Sequence, residues 1–190
     1  MKQESEHTSS EPKSFIERLS SHFHNQPSNK TELLSMLNHM CKVDIIDHDA
    51  LLMLHGVLNI SDMCVDDIMI PRSQMIFISA EQTPEQFLPT IVESAHSRFP
   101  VIGEDKDDVI GILLAKDLIK HMHEKDFLQK PLQKNILRKA FFVPESKRLD
   151  SLLKQFRSNH NHLAVVVDEY GSVAGVVTIE DVLEEIVGEI

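Results

Sequence analysis

Residues 94–118 can be laid over residues 158–182 without a gap, at a constant offset of 64. The identical pairs are Ser94/Ser158, His96/His160, Val101/Val165, Val109/Val173, Gly111/Gly175 and Asp117/Asp181, and most other apolar positions match in kind. Upstream, Ile78 falls against Val143 at an offset of 65, which puts a one-residue slip inside the first helix of the unit. A chain that is self-similar at a fixed period folds as copies of one supersecondary unit, and no other sequence feature restricts the fold as strongly. The unit reads strand–helix–strand–strand–helix. Its first copy is MIFI (75–78), a helix over 84–95, FPVI (99–102), VIGILL (109–114) and a helix over 115–122. The second is FFV (141–143), a helix over 148–158, LAVVV (163–167), VAGVV (173–177) and a helix over 178–188. LAVVV is continuously apolar and β-branched, as in a strand covered on both faces. The fold class is therefore α/β (α+β), β-α-β-β-α written twice.

Ahead of the repeat the chain changes character. Residues 1–29 are polar and show no sustained apolar period, so a mostly disordered tail is expected, with a helical turn around Phe15–Leu19. Residues 30–64 predict short helices. Asn29 followed by Glu32 reads as a capping box before the stripe Leu33, Leu34, Leu37 and Met40. A second helix from Asp47 carries Leu51, Leu54, Val57 and Leu58, closed by Ile60. The first unit then occupies 65–125 and the second 126–190.

Charge and composition exclude several classes of function. With 19 Lys+Arg against 30 Asp+Glu the net charge is −11, the wrong sign for gripping nucleic acid or anionic lipid over a broad face. No run approaches the ~18 apolar residues of a membrane span, and MKQESEHTSSEPKS has no apolar secretory core. Cys41 and Cys64 form neither a metal-ligand spacing nor a disulfide framework, which fits a reduced, cytoplasmic setting. GxSxG, P-loop, HExxH and kinase motifs are missing, so the chain does not read as an enzyme.

The segment that carries chemistry is GVVTIED (175–181). Thr178 follows a strand and opens a helix, and Asp181 sits three residues on. One reading is a capping box, Thr178 as N-cap and Asp181 reaching back to its amide. The other is a nucleotide site. A helix N-terminus favours phosphate, a Thr hydroxyl bonds a phosphate oxygen, and an Asp carboxylate accepts two hydrogen bonds from vicinal ribose hydroxyls. Gly175 would then let a base or sugar approach the strand.

The twice-repeated unit resembles a tandem pair of CBS domains, a Bateman module, and GVVTIED resembles the Gly-x-x-Thr-x-x-Asp signature that such domains use for adenine nucleotides. HGVLNISDMCVDDIMIPRSQM (55–75), ESAHSRFPVI (93–102), VPESKRL (143–149) and LAVVVDEYGSVAGVVTIEDVLEEIVGEI (163–190) together resemble the CorC/HlyC family of magnesium and cobalt efflux proteins. That resemblance implies two CBS motifs in one module and a disc-shaped homodimer of modules. It implies AMP or ATP, the latter often with Mg²⁺, in the cleft between the repeats. It also implies a role in Mg²⁺ and Co²⁺ homeostasis beside a membrane transporter, without direct membrane insertion. Family members continue beyond GEI into a further domain, so a chain truncated at its C-terminal end is expected.

Carried onto this sequence, the resemblance assigns phosphate to Thr178 and ribose to Asp181. Phe142 and Val143 would pack on the adenine, with core packing the alternative. His160, His162 and Leu163 lie on the segment that passes the base. Arg98 would cross the cleft to the polyphosphate, with a surface ion pair the alternative, and Arg72 is a weaker candidate. Glu180 belongs to an acidic helix face, part of which can touch nucleotide-bound Mg²⁺. The first repeat reads GILLAKD, so Leu114 stands where the second has Thr178, and one competent site per chain is expected. Eleven histidines include the pairs His22/His24, His121/His123 and His160/His162, but no third ligand sits at metal spacing, so no protein-ligated metal is expected. Two rivals stay open: a structural dimerisation or partner-docking module, and a direct divalent-metal sensor.

Overall fold

A computed structural model describes residues 26–105 and 107–188. The tail with its expected turn at Phe15–Leu19 lies outside the described residues, apart from residues 26–29. By packing the chain divides into two units, one up to Leu51 and one from Leu52 onward.

The first unit contains α1 (Lys30–Lys42) and the start of α2 (His48–Asn59). Asn29 caps α1, its Oδ1 accepting from the Glu32 amide at 2.9 Å. Glu32 reaches back one residue further than expected, to the Ser28 amide (2.8 Å) and hydroxyl (2.7 Å). Those donors hold its carboxyl below the usual glutamate range. Asp47 caps α2 through the Ala50 amide at 2.6 Å.

The second unit holds both repeats. Strands β2 (Ile78–Ser79), β3 (Arg98–Ile102) and β4 (Val109–Leu114) form one sheet in the order β2-β3-β4, with α3 (Pro84–Ser94) and α4 (Ala115–His121) following β2 and β4. In the other sheet the order is β1-β7-β6-β5, from β1 (Ile70–Pro71), β5 (Phe142–Pro144), β6 (Leu163–Val167) and β7 (Val173–Thr178), with α5 (Leu149–Asn159) and α6 (Ile179–Val187). In each sheet the short first strand of the repeat runs parallel to the middle strand, which pairs antiparallel with the return strand. Each repeat has its own core, Phe87, Phe99, Val101 and Leu113 in the first and Val143, Leu152, Phe156 and Val166 in the second. A third cluster joins Ile112 and Leu114 to Leu163, Val165 and Val176 between the repeats.

The register corrects the placement of the one-residue slip. Ile78 opposes Val101 and Val143 opposes Val166; α3 and α5 each have 11 residues; Ala95 and His160 are the matching left-handed C-caps. The offset is therefore 65 from β2 through β3 and becomes 64 at β4. The slip lies in the hairpin loops, residues 103–108 against 168–172, not in the first helix. Ser94/Ser158, His96/His160 and Val101/Val165 are coincidental identities, and the structural equivalents include Ser94/Asn159, Ala95/His160, Ser97/His162 and Arg98/Leu163.

The linkers are exchanged between the repeats. Ile70–Pro71, which lead into the first repeat, pair antiparallel with Val176 and Gly175 of the second. Arg138, which leads into the second, bridges antiparallel to Ile112 of the first. The repeated glycines make room for these crossings. A Cβ on Gly175 would collide with the Ile70 carbonyl oxygen, and one on Gly111 would lie 2.9 Å from that of Arg138. Gly175 is thus explained by an approaching backbone rather than by an approaching ligand.

Candidate nucleotide-binding cleft

Where β7 turns into α6, Thr178 takes extended angles (φ −107°, ψ 165°) and acts as N-cap. Its Oγ1 accepts from the Asp181 amide at 3.2 Å, and Asp181 Oδ2 accepts from the Thr178 amide at 2.7 Å. The capping box is present. It is also compatible with ligand binding, because it uses only part of each side chain. Thr178 Oγ1 is an acceptor in the cap, so its O–H hydrogen remains a donor. Among the described residues nothing bonds Asp181 Oδ1, which leaves an open acceptor beside it.

Both groups face a cleft of about 360 Å³. The second repeat contributes Leu163, Val176, Thr178, Glu180 and Asp181 to its wall. The exchanged linker adds Ile70, Gln74, Met75 and Ile76, the turn from α3 into β3 adds Ala95, His96 and Ser97, and β3 adds Arg98 and Pro100. Thus the wall is apolar on the linker side, except for Gln74, and polar where α6 begins. Arg98, a quarter exposed, extends from β3 toward Glu180 across the cleft, Nη1 to Oε1 4.0 Å. His162 Nδ1 lies 3.7 Å from the same Oε1. With 60% of its side chain exposed, Glu180 gains little from either contact.

Of the sequence candidates, the cleft brings together Arg98, Leu163, Thr178, Glu180 and Asp181. His162 stands at its rim through Glu180. Phe142, Val143 and His160 are outside the lining. Phe142 and Val143 belong to β5, at the sheet edge opposite β1; Phe142 is half exposed and Val143 is buried in the second core. His160 is the left-handed C-cap of α5 (φ 53°). Arg72 is turned away as well, its Nη1 2.7 Å from Asp107 Oδ1, which also accepts from the Val173 amide at 2.9 Å. Sequence reasoning missed the linker and the segment 95–97, because strand exchange brings first-repeat residues to the second-repeat cap.

The equivalent place in the first repeat differs. Leu114 gives α4 no side-chain cap. Asp117, 8% exposed, accepts from Arg138 Nε (3.2 Å) and Nη2 (2.9 Å) at Oδ2 and from Lys120 Nζ (2.8 Å) at Oδ1. The Lys120 hydrogen bond, then that of Arg138, hold its carboxyl down to about 2 against the opposing effect of burial.

The model of the CBS domain matches residues 65–124 and 134–188. The chain belongs to the CBS-domain family. Its CBS pair is of the CorC kind: over 172 residues, 90% of this chain, it is 54% identical to the magnesium and cobalt efflux protein CorC of Escherichia coli (strain K12). The chain spans 58% of that relative's length. The CBS domain of a bacterial CNNM/CorC family Mg²⁺ transporter, solved in complex with ATP, is 43% identical with a TM-score of 0.68, over 73% of this chain and 96% of that one. A CBS-domain pair with bound AMP from Klebsiella pneumoniae is 34% identical with a TM-score of 0.59, over 66% and 99%. Among the described residues no helix is long and apolar enough to cross a membrane, and no group of three or more His, Cys, Asp or Glu could hold a metal ion.

Proposed function

We propose that this CBS pair is an adenine-nucleotide sensor that regulates magnesium and cobalt efflux. The observation that carries the reading is the Thr178–Asp181 cap, which leaves one hydroxyl donor and one carboxylate acceptor open to a cleft that Arg98 enters from the other repeat. The cleft volume falls within the roughly 300–1,000 Å³ usual for small-molecule sites. In this reading the apolar linker wall takes the adenine, Asp181 Oδ1 the ribose hydroxyls, and the Thr178 hydroxyl with the α6 N-terminus a phosphate. Arg98, released from Glu180, pairs with the outer phosphates, and Glu180 is then free to face a nucleotide-bound Mg²⁺. The two relatives solved with ATP and with AMP support the ligand class.

The module works without catalysis, in the cytoplasm, through a nucleotide's different affinity for two arrangements of the repeats. It acts on a membrane transporter as a homodimer. Ile119 (68% exposed) and its repeat equivalent Leu183 (37%) are apolar surface on α4 and α6 that a second module would cover. Titration calorimetry with ATP and AMP, with and without Mg²⁺, tests the reading. Binding at one site per chain, lost in Thr178→Ala/Asp181→Ala, is expected; a folded wild type that binds neither nucleotide refutes it.

A further inference from the structure

The two caps are repeat equivalents with opposite fates, and the exchanged linkers account for the difference. Thr178 corresponds to Leu114, Glu180 to Lys116 and Asp181 to Asp117. The Ile70–Val176 pairing corresponds to the Arg138–Ile112 bridge. At Asp181 the crossing linker supplies Ile70, an apolar side chain that lines the cleft and leaves the carboxylate open. At Asp117 it supplies Arg138, whose guanidinium lies against the carboxylate through two hydrogen bonds, while Lys120 takes the other oxygen.

We infer that Arg138 is a built-in occupant of the first-repeat site: it takes the acceptor that a nucleoside's vicinal diol would need and fastens the inter-repeat linker to the first repeat. The ion pair stands on its own geometry; its consequence for ligands rests on the nucleotide reading of the second cleft. The sequence explains only half of this asymmetry, since Leu114 removes a phosphate donor but leaves Asp117 formally able to bind ribose. Arg138 removes that remaining capacity. The pair therefore has one cleft open to ligand and one closed by its own side chain.

The test has two arms on the full chain. In the wild type, ¹⁵N NMR of the Arg138 Nε–H is expected to show slow solvent exchange and a resonance unmoved by saturating AMP or ATP. Exchange at the rate of a free arginine, or a shift on nucleotide addition comparable to that of the Asp181 amide, overturns the inference. In the second arm Leu114→Thr/Arg138→Ile rebuilds the first site after the pattern of the second. Calorimetry with AMP is expected to give one site per chain in the wild type and two in the variant. The rebuilt site is expected to survive Thr178→Ala/Asp181→Ala. A folded variant still at one site, or a wild type at two, overturns the inference. A wild type with no site at all refutes the nucleotide reading instead, and the Arg138 exchange measurement still decides the ion pair.

Discussion

Substitution of Thr178 by alanine, serine and aspartate separates its two roles. Thr178 Oγ1 accepts from the Asp181 amide and is free to donate its hydrogen into the cleft. Alanine removes both functions. Loss of an N-cap costs about 0.5–2 kcal/mol, which for a folded unit of this size lowers Tm by a few degrees. Loss of a hydrogen bond to a charged phosphate costs about 1.5–3 kcal/mol of binding, or roughly 10- to 100-fold in Kd. Serine keeps both functions and is expected to stay close to wild type in both assays. Aspartate is decisive. It caps as well as threonine and is favoured at a helix N-terminus, so stability is expected to stay within about 1 kcal/mol of wild type despite Glu180 and Asp181 nearby. It replaces the donor with a charge about 4 Å from the phosphate, worth roughly 1 kcal/mol of repulsion in water and about 4 at a partly screened protein surface. Thr178→Asp is therefore expected to melt like the wild type and to lose AMP by 100-fold or more. Differential scanning calorimetry and titration calorimetry on the same samples check this. A Thr178→Asp protein that binds AMP with wild-type affinity would show that Thr178 is a cap and nothing else.

Three further outcomes follow from the geometry. Gly175→Ala forces the β1 carbonyl aside and is expected to destabilise by about 1–3 kcal/mol in urea unfolding, more than Gly111→Ala, whose neighbour stands further off; the reverse order would refute the account of the exchanged linkers. Asp117 is depressed from its ordinary value near 3.8 to about 2, so its stabilisation is complete above about pH 4 and lost as pH falls toward 2. Its ceiling is about 2.5 kcal/mol, and screening at the exposed ends of Lys120 and Arg138 reduces that to roughly 1 kcal/mol. Asp117→Asn should flatten this part of the stability–pH curve, and an unchanged curve would refute the assignment. Arg98→Ala should weaken ATP by about tenfold while changing AMP less, since the guanidinium is assigned to the outer phosphates; equal losses in titration calorimetry would count against that role.

The repeat was legible because its determinants are local: continuous apolar strands, turn residues, and caps at the helix starts. Its register was not. β3 and β6 are apolar at nearly every position, so a shift of one residue keeps the pattern and gains accidental identities such as Val101/Val165. The pairing of Ile78 with Val101 and of Val143 with Val166, with the matching C-caps Ala95 and His160, fixes the alignment. The same limit applies to the site. Thr178 and Asp181 announce themselves by their spacing, and Arg98 by the motif around it. Met75, Ile76 and His96 have no residue chemistry that marks them as lining, because the packing of the linker and of the first repeat against the second places them at the cleft. Phe142 and Val143 matched a pattern, yet β5 sits at the far edge of the sheet from the cleft.

The linker crossing also reverses the meaning of one sequence clue. Gly175 and Gly111 are identical across the repeats and invite a common ligand-based explanation, but the atoms they make room for are the backbone carbonyls of Ile70 and Arg138. Equal glycines admit equivalent crossings, and the residue at the crossing position then differs, Ile70 in one and Arg138 in the other. Isoleucine beside Asp181 leaves an acceptor open; arginine beside Asp117 closes it. On the proposed nucleotide reading, an acidic chain with net charge −11 holds an anion without a basic face. The local donors are a helix N-terminus, one hydroxyl and Arg98, held by exposed Glu180 through contacts weak enough for a phosphate to displace. Such a site is sensitive to ionic strength mainly through Arg98, so salt should weaken ATP more steeply than adenosine. Equal salt slopes for the two ligands would mean that Arg98 does not reach the phosphates.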